Sequence, residues 1–377
     1  IVIDDTFIVS FFMLILKICN IEYNRVKLSL IQDKINVYIN IMLQGDYMKQ
    51  LKGIHHVTAI TSDAEKIYEF FTHILGLRLV KKTVNQDDIH TYHLFFADDI
   101  GSAGTDMTFF DFPGISKGRH GRNEIQRTYF RVQSDAALLY WKQRFETYHV
   151  EHEDIVKQFG VNVLPFEDFD GQLYALISDE GQTGVAPGTP WKDGPIEQQM
   201  AIVGLGPVVL NVSQVDYMEE ILKQVYEMNL IQKEDHMSLF EMGEGGNGAR
   251  VIIQKSEDEL GAINGYGTVH HVAFRVDNTE QLDEWINRYN EVGLPNSGYV
   301  DRFYFKSLYA RIPNGILFEI ATDGPGFMED EPYETLGESL SLPPKLEPNR
   351  QLIESEVRHI DTIYKNCLLY TSDAADE

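Results

Sequence analysis

The sequence is poor in cysteine, poor in positive charge, and has no apolar run long enough to cross a bilayer. Two cysteines occur, Cys19 and Cys367, both in the flanks. The body between them can hold no disulfide framework and no thiolate metal site, which suits a reducing, cytoplasmic setting. Lysine and arginine number 32 against 58 aspartates and glutamates, a formal charge of −26. A surface of that sign repels phosphate backbones, so nucleic acid is not an expected partner. The most apolar stretch, FIVSFFMLILKI at 7–18, is too short for a membrane span, and the residues before it lack the positive charge of a signal peptide. There is no Gly-x-Ser-x-Gly elbow and no phosphate-binding loop. GEGGNG at 243–248 lacks the strand and helix that a dinucleotide loop needs and fits a hairpin turn better.

Residues 1–47, crowded with Ile, Asn, Leu, Lys and Tyr, read as translated sequence upstream of a start at Met48. Residues 367–377, ending in LLYTSDAADE, read as adapter-derived.

Between these ends the chain repeats itself. Four segments each show a β-branched strand, an N-cap signal, an amphipathic helix and further strands. The strand IHHVTAI opens the first, with cap Ser62–Asp63, helix AEKIYEFFTHIL and a stop at Gly76. RTYFRV (127–132), Ser134 and DAALLYWKQRFETY begin the second; PVVLNV (207–212), Ser213 and QVDYMEEILKQVYEMN begin the third. In the fourth, HHVAFRV (270–276), Asn278–Thr279 and EQLDEWINRYNEVG precede FKSLYARI and ILFEIATD, which flank the turn Pro313-Asn314-Gly315. The expected fold is α+β, with four βαβββ modules in two pairs forming cupped mixed sheets. The pairs fall at 48–180 and 200–325, joined by a Gly/Pro-rich linker at 181–199 and followed by a tail at 326–366. A single such unit cannot cover both faces of its sheet, so paired modules should enclose an interior site.

Comparison of the four copies isolates the chemistry. The place held by His271 is His56 in the first module, Arg127 in the second and Pro207 in the third. Glu319 corresponds to Ala175 and Ile252, and the matching stretch of the first module, MTFF at 107–110, has no carboxylate. A lone strand histidine is ordinarily a hydrogen-bonded core residue. Two matching His-His pairs, and a Glu inside the apolar strand ILFEIA, are costly to bury unless a cation uses them. Two imidazoles and a carboxylate without thiolate are the donor set that holds non-haem Fe(II) with open positions, although Mn or Zn suits the same atoms. A turn centred on Asn314 sets Tyr309 opposite Glu319 on one face, where its phenol could meet a substrate or serve only as a strand aromatic. Arg302 reads equally as a surface ion pair or as a cation facing an anion. Thr58 shares the parity of His56. His55 and His270 have the opposite parity, so they should point away from the metal unless a bulge returns them.

Together GIHHVT, TYHLFFAD, GTDMTFFDFPG, VHHVAFRV, DRFYFKSLY and NGILFEIATDGPGF resemble the ring-cleaving dioxygenases of the glyoxalase/bleomycin-resistance/dioxygenase (vicinal oxygen chelate) superfamily. The chain is most similar to the branch that opens hydroquinones, over about 49–361. The resemblance implies Fe(II), with Mn(II) as the alternative, on His56, His271 and Glu319. It implies that His55, Thr58, His270, Arg302 and Tyr309 steer substrate and O2. The implied partners are a hydroquinone- or catechol-type diol and O2, with no nucleic acid or membrane, and self-association left open. Two alternatives on the same modules stay open: a glyoxalase-type lyase, which would need a fourth ligand where the nearest acid is the unaligned Asp111, and a drug-binding resistance protein, which would need no metal.

Overall fold

The computed structural model describes residues 50–364. The sequence expectations for 1–47 and 367–377 lie outside the described residues. Module one comprises β1 (Ile54–Ile60), α1 (Ala64–Glu69), β2 (Arg78–Asn85), β3 (Asp88–Ala97) and β4 (Asp106–Phe110). Module two comprises β5 (Glu124–Val132), α2 (Asp135–Tyr148), β6 (Val156–Gln158), β7 (Val161–Glu167) and β8 (Leu173–Ser178). Module three is β9 (Ile202–Val212), α3 (Val215–Gln224), β10 (Asn229–Glu234), β11 (Met237–Glu241) and β12 (Arg250–Lys255). Module four is β13 (Thr268–Val276), α4 (Thr279–Glu291), β14 (Val300–Asp301), β15 (Lys306–Arg311) and β16 (Leu317–Thr322).

Local chemistry explains the helix starts. Asp63 accepts from the amides of Glu65 and Lys66, Ser134 from Ala137, and Asn278 from Gln281, so each satisfies an amide that the helix leaves orphaned. Ser213 does not play this part, because α3 starts one residue later with Gln214 at its cap and no side-chain bond. The first helix also departs from expectation. After Glu69 it widens into a π-type turn over Phe70–Ile74, which carries Phe71 fully into the core against Phe96 and Phe109. Gly76 follows with φ +70°, a conformation that a side chain would strain.

The strands form two eight-stranded sheets, ordered β14-β15-β16-β13-β1-β4-β3-β2 and β10-β11-β12-β9-β5-β8-β7-β6. In each module the first and last strands run parallel, and two modules join through antiparallel first strands, β1 with β13 and β5 with β9. Sheet membership therefore cuts across the chain-order groups 48–180 and 200–325. Module one shares its sheet with module four, and module two with module three. Strands β5 and β9 begin earlier than the sequence suggested because each extends along the other. The linker 181–199 carries no helix or strand.

The two cups differ in content. The inner face of the second sheet is closed by Tyr129, Val163, Ala175, Ile177, Val209, Leu239 and Ile252. On the first sheet, Val80, Phe95, Ala97, Ala273, Tyr304, Phe305 and Ala321 pack with Phe327 and Leu336 from the tail. The tail is held there by the buried Lys81 ammonium, which ion-pairs with Asp330 at 2.7 Å and with Glu331. The rest of that cup stays open. No helix among the described residues is long and apolar enough to cross a membrane.

Candidate functional site

The floor of the open cup is built by register. Thr58 on β1 faces His271 on β13, His56 faces Ala273, and Ala273 in turn faces Glu319 on β16. These pairings bring His56, His271 and Glu319 together as one buried group. Glu319 Oε2 lies 2.9 Å from His271 Nε2 and 3.2 Å from His56 Nε2, and the two imidazole nitrogens are 3.3 Å apart. Three atoms of metal-ligand type thus sit at the corners of a small triangle, with Glu319 entirely shielded from solvent.

The triangle fits a metal ion. Despite its closeness to both imidazoles, Oε2 makes no hydrogen bond, while Oε1 accepts from Ser307 Oγ at 2.5 Å. A carboxylate oxygen left unpaired at full burial is expensive, and a cation removes the cost. Donors about 2.0–2.2 Å from an ion at right angles lie about 2.8–3.1 Å from one another, close to the observed edges. Burial alone would raise the Glu319 carboxyl, and a proton on either adjacent imidazole instead pulls it well below its usual range.

His55 and His270 come back toward the site rather than pointing away. Register shifts on either side of the β1–β13 contact supply the irregularity that alternation forbids. His55 Nε2 meets the Thr322 carbonyl at 3.0 Å, so that nitrogen carries the proton. Burial, and then His56, pull the His55 pKa down to about 3, so the ring is neutral and its Nδ1 accepts. That Nδ1 is 2.9 Å from His56 Nδ1, which must donate, and the lone pair of His56 is left on Nε2, inside the triangle. His270 repeats the arrangement, its Nδ1 2.8 Å from His271 Nδ1 and its pKa pulled to about 3 by burial and by His271.

Above the triangle a cavity of about 290 Å³ opens, walled by Phe95, Phe110, Phe112, Phe305 and Leu317 and edged by His93, His270, Arg302 and Tyr309. That is about twice the volume that admits benzene into an engineered apolar cavity. Tyr309 pairs directly with Glu319 as expected. Burial and the Glu319 charge push its phenol upward, so it keeps its proton at neutral pH. Arg302 Nε donates to that phenol oxygen at 3.2 Å, and its other end pairs with Asp87 at 2.8 Å across the cavity mouth. Thr83 Oγ1 and Gln86 Oε1, also at the cavity, have no protein partner.

Three residues of this constellation escaped the sequence reading. Ser307 orients Glu319, and its signal was its parity with Tyr309. Thr108 faces Thr58 on parallel β4, as Glu319 faces Ala273, so Thr108 is what the first module puts in the place of Glu319. Its hydroxyl bonds to Thr58 at 2.7 Å and to His93 at 3.0 Å. His93 stood within TYHLFFAD, but nothing local marked it.

The geometry agrees with the comparisons. The model of the Glyoxalase/Bleomycin resistance protein/Dioxygenase superfamily matches residues 53–189 and 204–320. The Bacillus subtilis (strain 168) protein named "Putative ring-cleaving dioxygenase MhqA" is 42% identical over 316 residues, covering 82% of this chain and 99% of its own. A chlorohydroquinone/hydroquinone 1,2-dioxygenase of Sphingobium indicum is 27% identical over 79% of this chain and 94% of its own. A crystal structure from Bacillus subtilis subsp. subtilis str. 168, named "putative dioxygenase", superposes with a TM-score of 0.77 at 33% identity, covering 83% of this chain and 99% of its own. Two matched halves, an end-to-end relative and a metal-ready cup lead to one statement: the chain belongs to the glyoxalase/bleomycin resistance protein/dioxygenase superfamily.

Proposed function

We propose that this protein is an Fe(II)-dependent dioxygenase that opens the ring of a hydroquinone-type diol. The observation that carries the reading is the buried His56–His271–Glu319 triangle at the floor of an aromatic-walled cavity, with a threonine rather than a carboxylate in the fourth place. Three ligands on one side of an ion leave room for substrate and O2, whereas a glyoxalase-type centre would want a carboxylate where Thr108 stands. The names of the full-length relatives support the same chemistry.

A ferrous ion bound here supplies the one-electron steps that O2 needs before it can react with a closed-shell ring. This chain's residues do the rest. The phenylalanine walls hold the ring by its faces and exclude water, which strengthens every polar contact inside. Tyr309, accepting from Arg302, has its own proton free to donate to a substrate oxygen. His271 donates its Nδ1 proton to His270, which leaves the His270 Nε2–H for the cavity. Arg302 balances negative charge that develops during cleavage. Thr83 and Gln86 offer unpaired polar atoms to the remote substituent of a 1,4-diol.

Anaerobic reconstitution with Fe(II), followed by O2 uptake over a panel of hydroquinones and catechols, tests the reading. Uptake with hydroquinones, absent from metal-free protein, is expected. No uptake with any diol, alongside conversion of a methylglyoxal hemithioacetal, would replace it with the lyase alternative.

A further inference from the structure

The polar chain on the Thr108 side of the triangle can run in either direction, and the tautomer of His93 decides which. Thr58 Oγ1 lies 3.1 Å from His271 Nε2 and 2.7 Å from Thr108 Oγ1, and Thr108 Oγ1 lies 3.0 Å from His93 Nε2. Each hydroxyl has one proton, so the chain can run only one way at a time. If Thr58 is to donate toward the triangle, it must accept from Thr108, and Thr108 must then accept from His93. His93 Nε2 therefore has to carry a proton.

We propose that His93 is a positioning residue that, through Thr108, turns the Thr58 hydroxyl into a hydrogen-bond donor beside the metal triangle. The inference rests on the ring-cleavage reading. The position is suited to the task. Thr108 occupies the symmetry mate of the Glu319 position, so the module without a carboxylate presents hydroxyls there instead. The His93 ring is clamped between Phe95 at 4.0 Å and Phe110 at 4.3 Å, which fixes where its Nε2 points. Burial, and then the neighbouring imidazoles and Arg302, pull the His93 pKa well below its usual value, so the ring is neutral and carries a single N–H. A donor held at that spot stabilises an anionic oxygen as it forms, without reorganising at the moment of reaction.

Two substitutions separate this role from simple packing. His93→Phe fills the aromatic slot but removes the donor, while His93→Gln keeps a side-chain N–H and packs less well. The proposal expects kcat for hydroquinone to fall about tenfold or more in His93→Phe and Thr108→Val, and to be largely retained in His93→Gln and Thr108→Ser. KM and bound iron should stay within about twofold of wild type throughout, since neither binding nor metal retention uses this donor. The reverse order, Phe tolerated and Gln not, would overturn it. Independently of turnover, 15N-histidine NMR of the metal-free protein should show His93 protonated on Nε2, with a shift that moves in Thr108→Val. An unprotonated Nε2 would refute the assignment even if these variants failed to fold. A wild type that opens no diol would fail the functional reading. An active wild type with all four variants unaffected would fail the positioning role alone.

Discussion

Replacing Glu319 by Gln should uncouple the protein from its metal without harming the metal-free fold. Gln keeps the volume and the carbonyl that accepts from Ser307, and it replaces an unpaired buried oxygen by an amide that can donate to an imidazole lone pair. The metal-free variant should therefore be at least as stable as wild type. The metal-bound state loses a charged ligand. Loss of a residue that merely supports a ligand costs 10- to 100-fold in affinity, so about 100-fold is a lower bound here. At a metal concentration about 1,000 times the wild-type Kd, binding stabilises the fold by about 4.1 kcal/mol, and a 100-fold weaker site leaves about 1.4 kcal/mol. Calorimetric melting with and without Mn(II), chosen because it stays divalent in air, reads both numbers. The wild type should show a large metal-dependent rise in Tm and the variant a small one. An undiminished rise in Glu319→Gln would show that the ion sits elsewhere, and no rise in wild type would remove the metal site altogether.

Three further outcomes follow from the same contacts. His55→Phe breaks the path from the Thr322 carbonyl to His56 Nδ1 and should weaken Mn(II) binding about 10- to 100-fold in a titration, whereas an unchanged Kd would mean the chain does not orient the ligand. Thr108→Glu restores a carboxylate at the symmetry-related corner and should tighten Mn(II) while abolishing O2 uptake; full turnover would show that this corner need not stay open. Asp168 concerns stability. Burial raises its carboxyl to about 7, above the roughly 3.9 of an unfolded chain, so the folded state binds the extra proton. Its contribution is therefore most favourable below pH ~4 and is lost as pH rises toward 7, by about 4 kcal/mol in all. Asp168→Asn should erase that difference, so urea midpoints of wild type and variant should diverge between pH 4 and 8; parallel curves would contradict the shift.

The candidate metal set could be picked out in the chain because duplication supplied its own control. Arg127, Pro207, Ala175 and Ile252 stand at the matching positions of the other modules, and the sheet registers align these residues as the sequence comparison did. The Tyr309–Glu319 pairing was legible because a tight turn fixes hairpin register. Which modules share a sheet was not legible. Pairing of β1 with β13 depends on the fit of strands far apart in the chain, and no local pattern encodes it. His93 and Thr108 stayed hidden for the same reason, since they meet across β3 and β4 and then reach Thr58 across a parallel pair. The turned-back His55 and His270 depend on register shifts that simple alternation cannot foresee.

The central claim is that this cup inserts O2 into an aromatic ring. Its most direct test is mass spectrometry of the product formed by Fe(II)-loaded protein from hydroquinone under 18O2. The account predicts a single ring-opened unsaturated acid containing both labelled atoms, absent from Glu319→Gln. An intact quinone without label, or a product carrying only one labelled oxygen on an unbroken ring, would contradict it.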